Sequence, residues 1–67
     1  MYEALTDAEL VAMRDRAYWE AAREVHEARA AKRDGLDALV VEMLGNSAKS
    51  ASDFWASLRD AAQARGL

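Results

Sequence analysis

His26 is the only histidine of the chain, and histidine is the side chain whose ordinary pKa lies nearest neutral pH. As a general base or metal ligand on a helix it would need a partner three or four positions away. Those positions hold Ala22, Arg23, Arg29 and Ala30, which offer no carboxylate and two cations. The pattern predicts a histidine at the surface or in an interface, and no metal site.

Three carboxylates, Glu20, Glu24 and Glu27, share one side of the same segment. Paired carboxylates perform acid–base chemistry when burial or mutual repulsion separates their pKa values. Arg16 and Arg23 lie among these glutamates at helical spacing and would relieve that repulsion. The arrangement is typical of a solvated, salt-bridged helix face.

Serines cluster at Ser47, Ser50 and Ser52, but a serine nucleophile needs an adjacent base. The single histidine lies far away along the chain, and the Gly-x-Ser-x-Gly pattern is absent. The chain has no cysteine, which excludes a thiolate nucleophile, a thiolate metal site and a disulfide. We therefore expect no catalytic residue and no cofactor, and we rank an enzyme, with a site shared between subunits, as the third hypothesis.

Alanine supplies 16 of the 67 residues and β-branched residues are few, which predicts an all-α fold in one domain, residues 1–67. The first helix is predicted over residues 7–33, because Thr6 and Glu9 form a Ser/Thr-x-x-Glu capping box. Steps of 100° per residue place its apolar stripe at Leu10, Met13, Ala17, Ala21, Val25 and Ala28.

Two shorter helices are predicted over residues 36–44 and 51–65, separated by a loop at residues 45–47 with Ser50 as the following cap. Gly35 favours a break after the first helix, since glycine readily adopts the left-handed conformation that ends helices. An alternative is one helix over residues 7–44, because one interior glycine costs only about 1 kcal/mol. The preferred fold is a helical hairpin or three-helix array with one long N-terminal helix.

A second stripe lies on the side of the first helix away from the core stripe, with Trp19 as its largest member. Burial in a chain of this size contributes on the order of 100 kcal/mol, and ordering the backbone and side chains costs about the same. This balance favours a homodimer in which the long helices pair in a helical bundle. The predicted interface residues are Trp19, His26, Ala12, Ala30, Val40, Val41 and Leu44.

A basic patch at Arg29, Lys32 and Arg33 supports an alternative function as a nucleic-acid-binding regulator. The net charge of −3 disfavours nucleic acid as a partner, and salt-sensitive binding that depends on Arg29, Lys32 and Arg33 would be the observation that supports it. The leading hypothesis is a non-enzymatic protein–protein interaction module, a regulator or accessory factor acting through an apolar helix face.

The chain has no apolar run long enough to span a membrane, and Tyr2 and Glu3 stand where a signal peptide would carry positive charge. We therefore expect a soluble, cytoplasmic protein. Seven arginines against two lysines, with the high alanine content, are typical of a GC-rich bacterial or phage genome.

Overall fold

The computed structural model describes residues 2–67, which form an antiparallel hairpin of two helices of equal length. Helix α1 is Asp7–Arg33 and helix α2 is Ala38–Ala64, each of 27 residues. The hairpin is elongated, with principal extents of 43 × 17 × 14 Å. The all-α class and the bounds of the first helix are thus confirmed.

Thr6 begins α1 through the predicted capping box. The Glu9 N–H donates to Thr6 Oγ1 at 3.1 Å, and the Thr6 N–H donates to Glu9 Oε1 at 2.9 Å. Because the backbone N–H of Thr6 stabilises the carboxylate, the pKa of Glu9 is held below its ordinary value. Glu9 is fully exposed, so its role is to cap the helix.

The predicted break at Gly35 is also confirmed. Gly35 has a φ of +72°, and the Leu36 N–H donates to the Ala31 carbonyl at 3.1 Å. The Gly35 N–H donates to the Lys32 carbonyl at 3.3 Å, which completes a Schellman motif. Asp37 then caps α2 by accepting from the Leu39 N–H at 2.8 Å. The connection is therefore short and tightly hydrogen-bonded at both helix ends.

The predicted loop at residues 45–47 is wrong: this segment lies inside α2, and Ser50 is an interior helix residue. The physical reason is a row of residues that stays in phase through the segment at alternating spacings of three and four. Helix continuity lets both halves of the row face α1, and this packing outweighs the weak helix propensity of the three residues. The row consists of Val41, Leu44, Ala48, Ala51, Trp55, Leu58 and Ala62, each buried or half-buried.

Small side chains dominate the contact between the helices. Leu10 and Leu58 are the largest fully buried side chains, and they form a cluster with Ala17 and Ala62 near the chain termini. Of the predicted α1 stripe, Met13 is 37% exposed, whereas Leu10 and Ala17 are buried. Large apolar side chains are thus concentrated in the core at one end of the hairpin only.

Arg65 ties the N-terminal segment to the end of α2. Its guanidinium donates to the carbonyls of Tyr2 and Leu5, each at 2.7 Å, and to Asp7 Oδ1 at 3.1 Å. The Tyr2 hydroxyl also lies 3.1 Å from Ser57 Oγ. The N-terminal segment therefore covers the last turns of α2 and closes this end of the core.

Candidate functional site

Three aromatic residues of the two helices, Tyr18, Trp19 and Trp55, meet on one side of the hairpin. Tyr18 packs edge-to-face against Trp19, with ring centroids 5.3 Å apart, and against Trp55 at 5.7 Å. The Arg59 guanidinium lies 5.0 Å from the centroid of the Trp55 ring, within the range of a cation–π interaction. Trp19 remains 70% exposed, so the cluster presents a large apolar ring to solvent.

Beside this cluster a groove of about 350 Å³ runs between α1 and α2, and we call it the aromatic groove. Alanine and serine side chains leave room for it, since larger residues at these positions would fill the space. Tyr18 and Trp55 border it, and no carboxylate lines it in the described part of the chain. The lining residues are Tyr18, Ala21, Ala22, Val25, His26, Arg29, Ser52 and Trp55.

The opposite side of the seam between the helices has a different character. There Glu24 of α1 and Met43, Ser47 and Ser50 of α2 line a second, shallower depression. Glu20 and Glu27 lie on the same flank of α1 as Glu24 by their helical spacing. Arg16 and Arg23 lie beside Glu20, so the hairpin separates a flank of mixed charge from the flank that carries the aromatic groove.

A second row of α2 residues follows the same alternation of four and three as the row facing α1 and lies about 90° around the helix from it, on the side where Met43, Ser47 and Ser50 line the second depression. We call this row the α2 outer face. Its apolar members lie just before the helix, in its first turns, and beyond two serines. They are Leu36 (51% exposed), Val40 (42%), Met43 (62%) and Phe54 (46%). Leu39, at 64% exposure, flanks the row. The row is Leu36, Val40, Met43, Ser47, Ser50 and Phe54.

The residues predicted as one interface are divided among several surfaces. Trp19, Ala12 and His26 are exposed on α1, and Ala30 is half-buried. Val40 belongs to the α2 outer face. Val41 and Leu44 are half-buried in the row that faces α1, so they do not lie on the surface with Val40.

Sequence reasoning missed Leu36, Leu39, Met43 and Phe54 as surface residues. The signal was present, because positions 36, 40, 43, 47, 50 and 54 keep a heptad spacing typical of a helix seam. It was hidden by the predicted loop at residues 45–47, which divided the row between two helices.

The basic patch lies in the last turns of α1. Arg29 lines the aromatic groove, Lys32 is exposed, and Arg33 Nε donates to Asp34 Oδ1 at 3.1 Å. Arg14 and Arg59 likewise pair with the aspartates that follow them, at 3.3 and 3.1 Å. These four arginine side chains thus have a mixture of aromatic and acidic neighbours.

Across residues 2–67, no polar or charged side chain is buried, and no group of three His, Cys, Asp or Glu residues is placed to hold a metal ion. No helix in this range is both long and apolar enough to cross a membrane. The chain matches no protein-family model, no curated protein and no solved structure.

Proposed function

We propose that this protein is a non-enzymatic protein–protein interaction module whose working form is a homodimer joined through the α2 outer face. The observation that carries the proposal is the exposed heptad row of α2, with Val40 and Met43 toward one end and Phe54 toward the other. A heptad row of this kind is buried when a second helix packs on it.

The surface area of the hairpin supports a second copy of the chain as the molecule that covers the α2 outer face. A compact monomer of 7.4 kDa exposes about 4,200 Å² by the usual scaling with mass. The hairpin exposes 4932 Å², an excess of about 700 Å². A stable interface of standard size buries about 800 Å² on each partner, so one dimer contact accounts for the excess.

The row is also suited to pairing with itself. In a twofold dimer the same face serves both copies, and antiparallel α2 helices would cross near Ser47. Val40 of one copy then meets Phe54 of the other, and the small serines between them allow close approach of the helices. Antiparallel packing also opposes the two helix dipoles.

Disulfide trapping tests this arrangement, because the natural chain has no cysteine. We expect Ser47→Cys to form a covalent dimer on mild oxidation, since the two thiols would meet at the twofold axis. Lys49→Cys is the matched control, because Lys49 is exposed and lies two residues along, away from the α2 outer face. Equal crosslinking of both variants, or crosslinking of Lys49→Cys alone, would contradict the proposed face.

The role of a cytoplasmic regulator or accessory factor, expected from the sequence, is part of the same proposal. A regulator or accessory factor in the cytoplasm would use the dimer as a scaffold that leaves the aromatic side of each hairpin open. The absence of cysteine, expected of a protein that needs no disulfide, supports that location.

A further inference from the structure

We infer that the aromatic groove binds an amphipathic helix of a partner protein, with an apolar stripe flanked by acidic residues. This inference rests on the proposed function and deepens it by naming the class of partner. Two antiparallel helices leave a groove along each side of their seam, and a third helix packed there completes a three-helix unit.

The shape of the groove fits an apolar anchor side chain. Ala21, Ala22 and Ser52 provide a low floor between the larger rings of Tyr18 and Trp55. Its volume of about 350 Å³ lies within the range of binding clefts in proteins. Exposed aromatic and arginine side chains beside a cleft are the residues that most often contribute strongly to protein–protein binding.

The charges around the groove determine which helix it accepts. Arg29 lines the groove, and Arg59 lies over the ring of Trp55 at its border, while Glu24 of α1 lines the depression on the opposite side of the seam. Arg14 lies beside Trp55 and Arg59 in an adjoining depression, and Asp15 and Asp60 pair with these two arginines from the neighbouring positions. Carboxylates along the edges of a bound helix would meet these cations, whereas lysines would be repelled.

The aromatic groove and the α2 outer face are separate surfaces, one for the partner helix and one for the second copy of the chain. The groove includes Ser52 and Trp55 of α2, whereas Met43, Ser47 and Ser50 line the depression on the other side. A homodimer joined through the α2 outer face therefore leaves two aromatic grooves facing outward. Each could hold one partner helix, which gives the dimer two equivalent binding sites.

A displayed library of helix-forming peptides, with variable stripe and flanking positions, is the probe for this inference. We expect selection on the full chain to enrich peptides with apolar residues at helical spacing and Glu or Asp beside them. A synthetic peptide of the enriched sequence should bind at least tenfold more weakly to Ala22→Trp, which fills the groove. It should also bind at least tenfold more weakly to Arg29→Glu/Arg59→Glu, and exchange of its acidic residues for lysine should restore binding to that variant.

Several results would overturn the inference. These are a selection that enriches no helical peptide, enrichment without acidic residues, and unchanged binding to Ala22→Trp. Displacement of the peptide by a single-stranded oligonucleotide in competition would also overturn the inference if Lys32→Ala weakened oligonucleotide binding more than Ala22→Trp did. This side of the hairpin would then be a nucleic-acid-binding surface.

A dimer-breaking variant separates this inference from the proposed function. Leu39→Ser/Met43→Ser alters Met43 of the α2 outer face and Leu39 beside it, and neither residue lines the aromatic groove, so we expect it to bind the peptide with the affinity of the natural chain. Loss of peptide binding in this variant would show that the groove depends on the dimer and would contradict independent use of the two surfaces. If the natural chain forms the dimer but binds no peptide, the inference of a partner helix is refuted and the proposed dimer stands.

Discussion

Replacing Gly45 by alanine tests the continuity of α2, because the sign of the effect depends on the local structure. Gly45 lies in the helix interior, and a Cβ built there has no heavy atom within 4 Å outside the local helix. Alanine in a helix interior is more favourable than glycine by about 0.8–1 kcal/mol. We therefore expect Gly45→Ala to raise the free energy of unfolding by ~0.8 kcal/mol and Tm by roughly 3–6 °C for a chain of this size.

The assay is thermal unfolding followed by circular dichroism at one fixed protein concentration, since association makes Tm depend on concentration. Gly35→Ala is the matched control: Gly35 also has open space around it, but its φ of +72° disfavours alanine. We expect this variant to lose about 1–2 kcal/mol. A lower Tm for Gly45→Ala, resembling that of Gly35→Ala, would refute a continuous α2 and support a loop at residues 45–47.

Three further predictions concern the core, the helix cap and the N-terminal segment. Leu58→Ala removes a fully buried side chain and should lower the free energy of unfolding by about 2–5 kcal/mol, a large share of the ~3–10 kcal/mol expected for a chain of this length. Chemical denaturation measures this loss, and a loss below about 1 kcal/mol would show that Leu58 contributes little to stability. The lowered pKa of Glu9 means that its ionised form stabilises the fold above the ordinary carboxyl pKa and that this stabilisation disappears as pH falls through the lowered value. The urea midpoints of the natural chain and Glu9→Gln should therefore differ at neutral pH and converge in strong acid, and a constant difference would contradict the cap. Arg65→Ala removes two hydrogen bonds to N-terminal carbonyls, so hydrogen exchange at the Leu5 amide should accelerate while exchange at the centre of α1 stays unchanged.

Local signals in the sequence predicted most of the fold. Thr6 with Glu9, and Gly35 after two basic residues, predicted both ends of α1 because caps depend on residues within one turn. The same local reasoning failed at residues 45–47, where helix-breaking residue types lie within a long helix. At residues 45–47 the helix is stabilised by contact with α1, and this contact depends on residues far along the chain.

The candidate surfaces were less predictable than the fold. Exposure of Trp19 follows from its helical position alone, and the structure agrees with that expectation. The aromatic groove requires knowing that Trp55 and Ser52 of α2 lie opposite Tyr18 and His26 of α1. The sequence contains the heptad row of the α2 outer face, but its recognition requires an unbroken helix through residues 45–47.

The molar mass in solution, measured by light scattering over a hundredfold range of concentration, most directly tests the α2 outer face as the dimer contact. We expect a mass near 15 kDa, twice the chain mass of 7.4 kDa, for the natural chain and for Trp19→Ser. Leu39→Ser/Met43→Ser changes four side chains per dimer at roughly 1.5 kcal/mol each, which raises Kd by a factor on the order of 10⁴. This variant should therefore show 7.4 kDa while keeping its helical circular dichroism. A mass of 7.4 kDa for the natural chain at every concentration, or a dimer broken by Trp19→Ser and not by Leu39→Ser/Met43→Ser, would contradict the account.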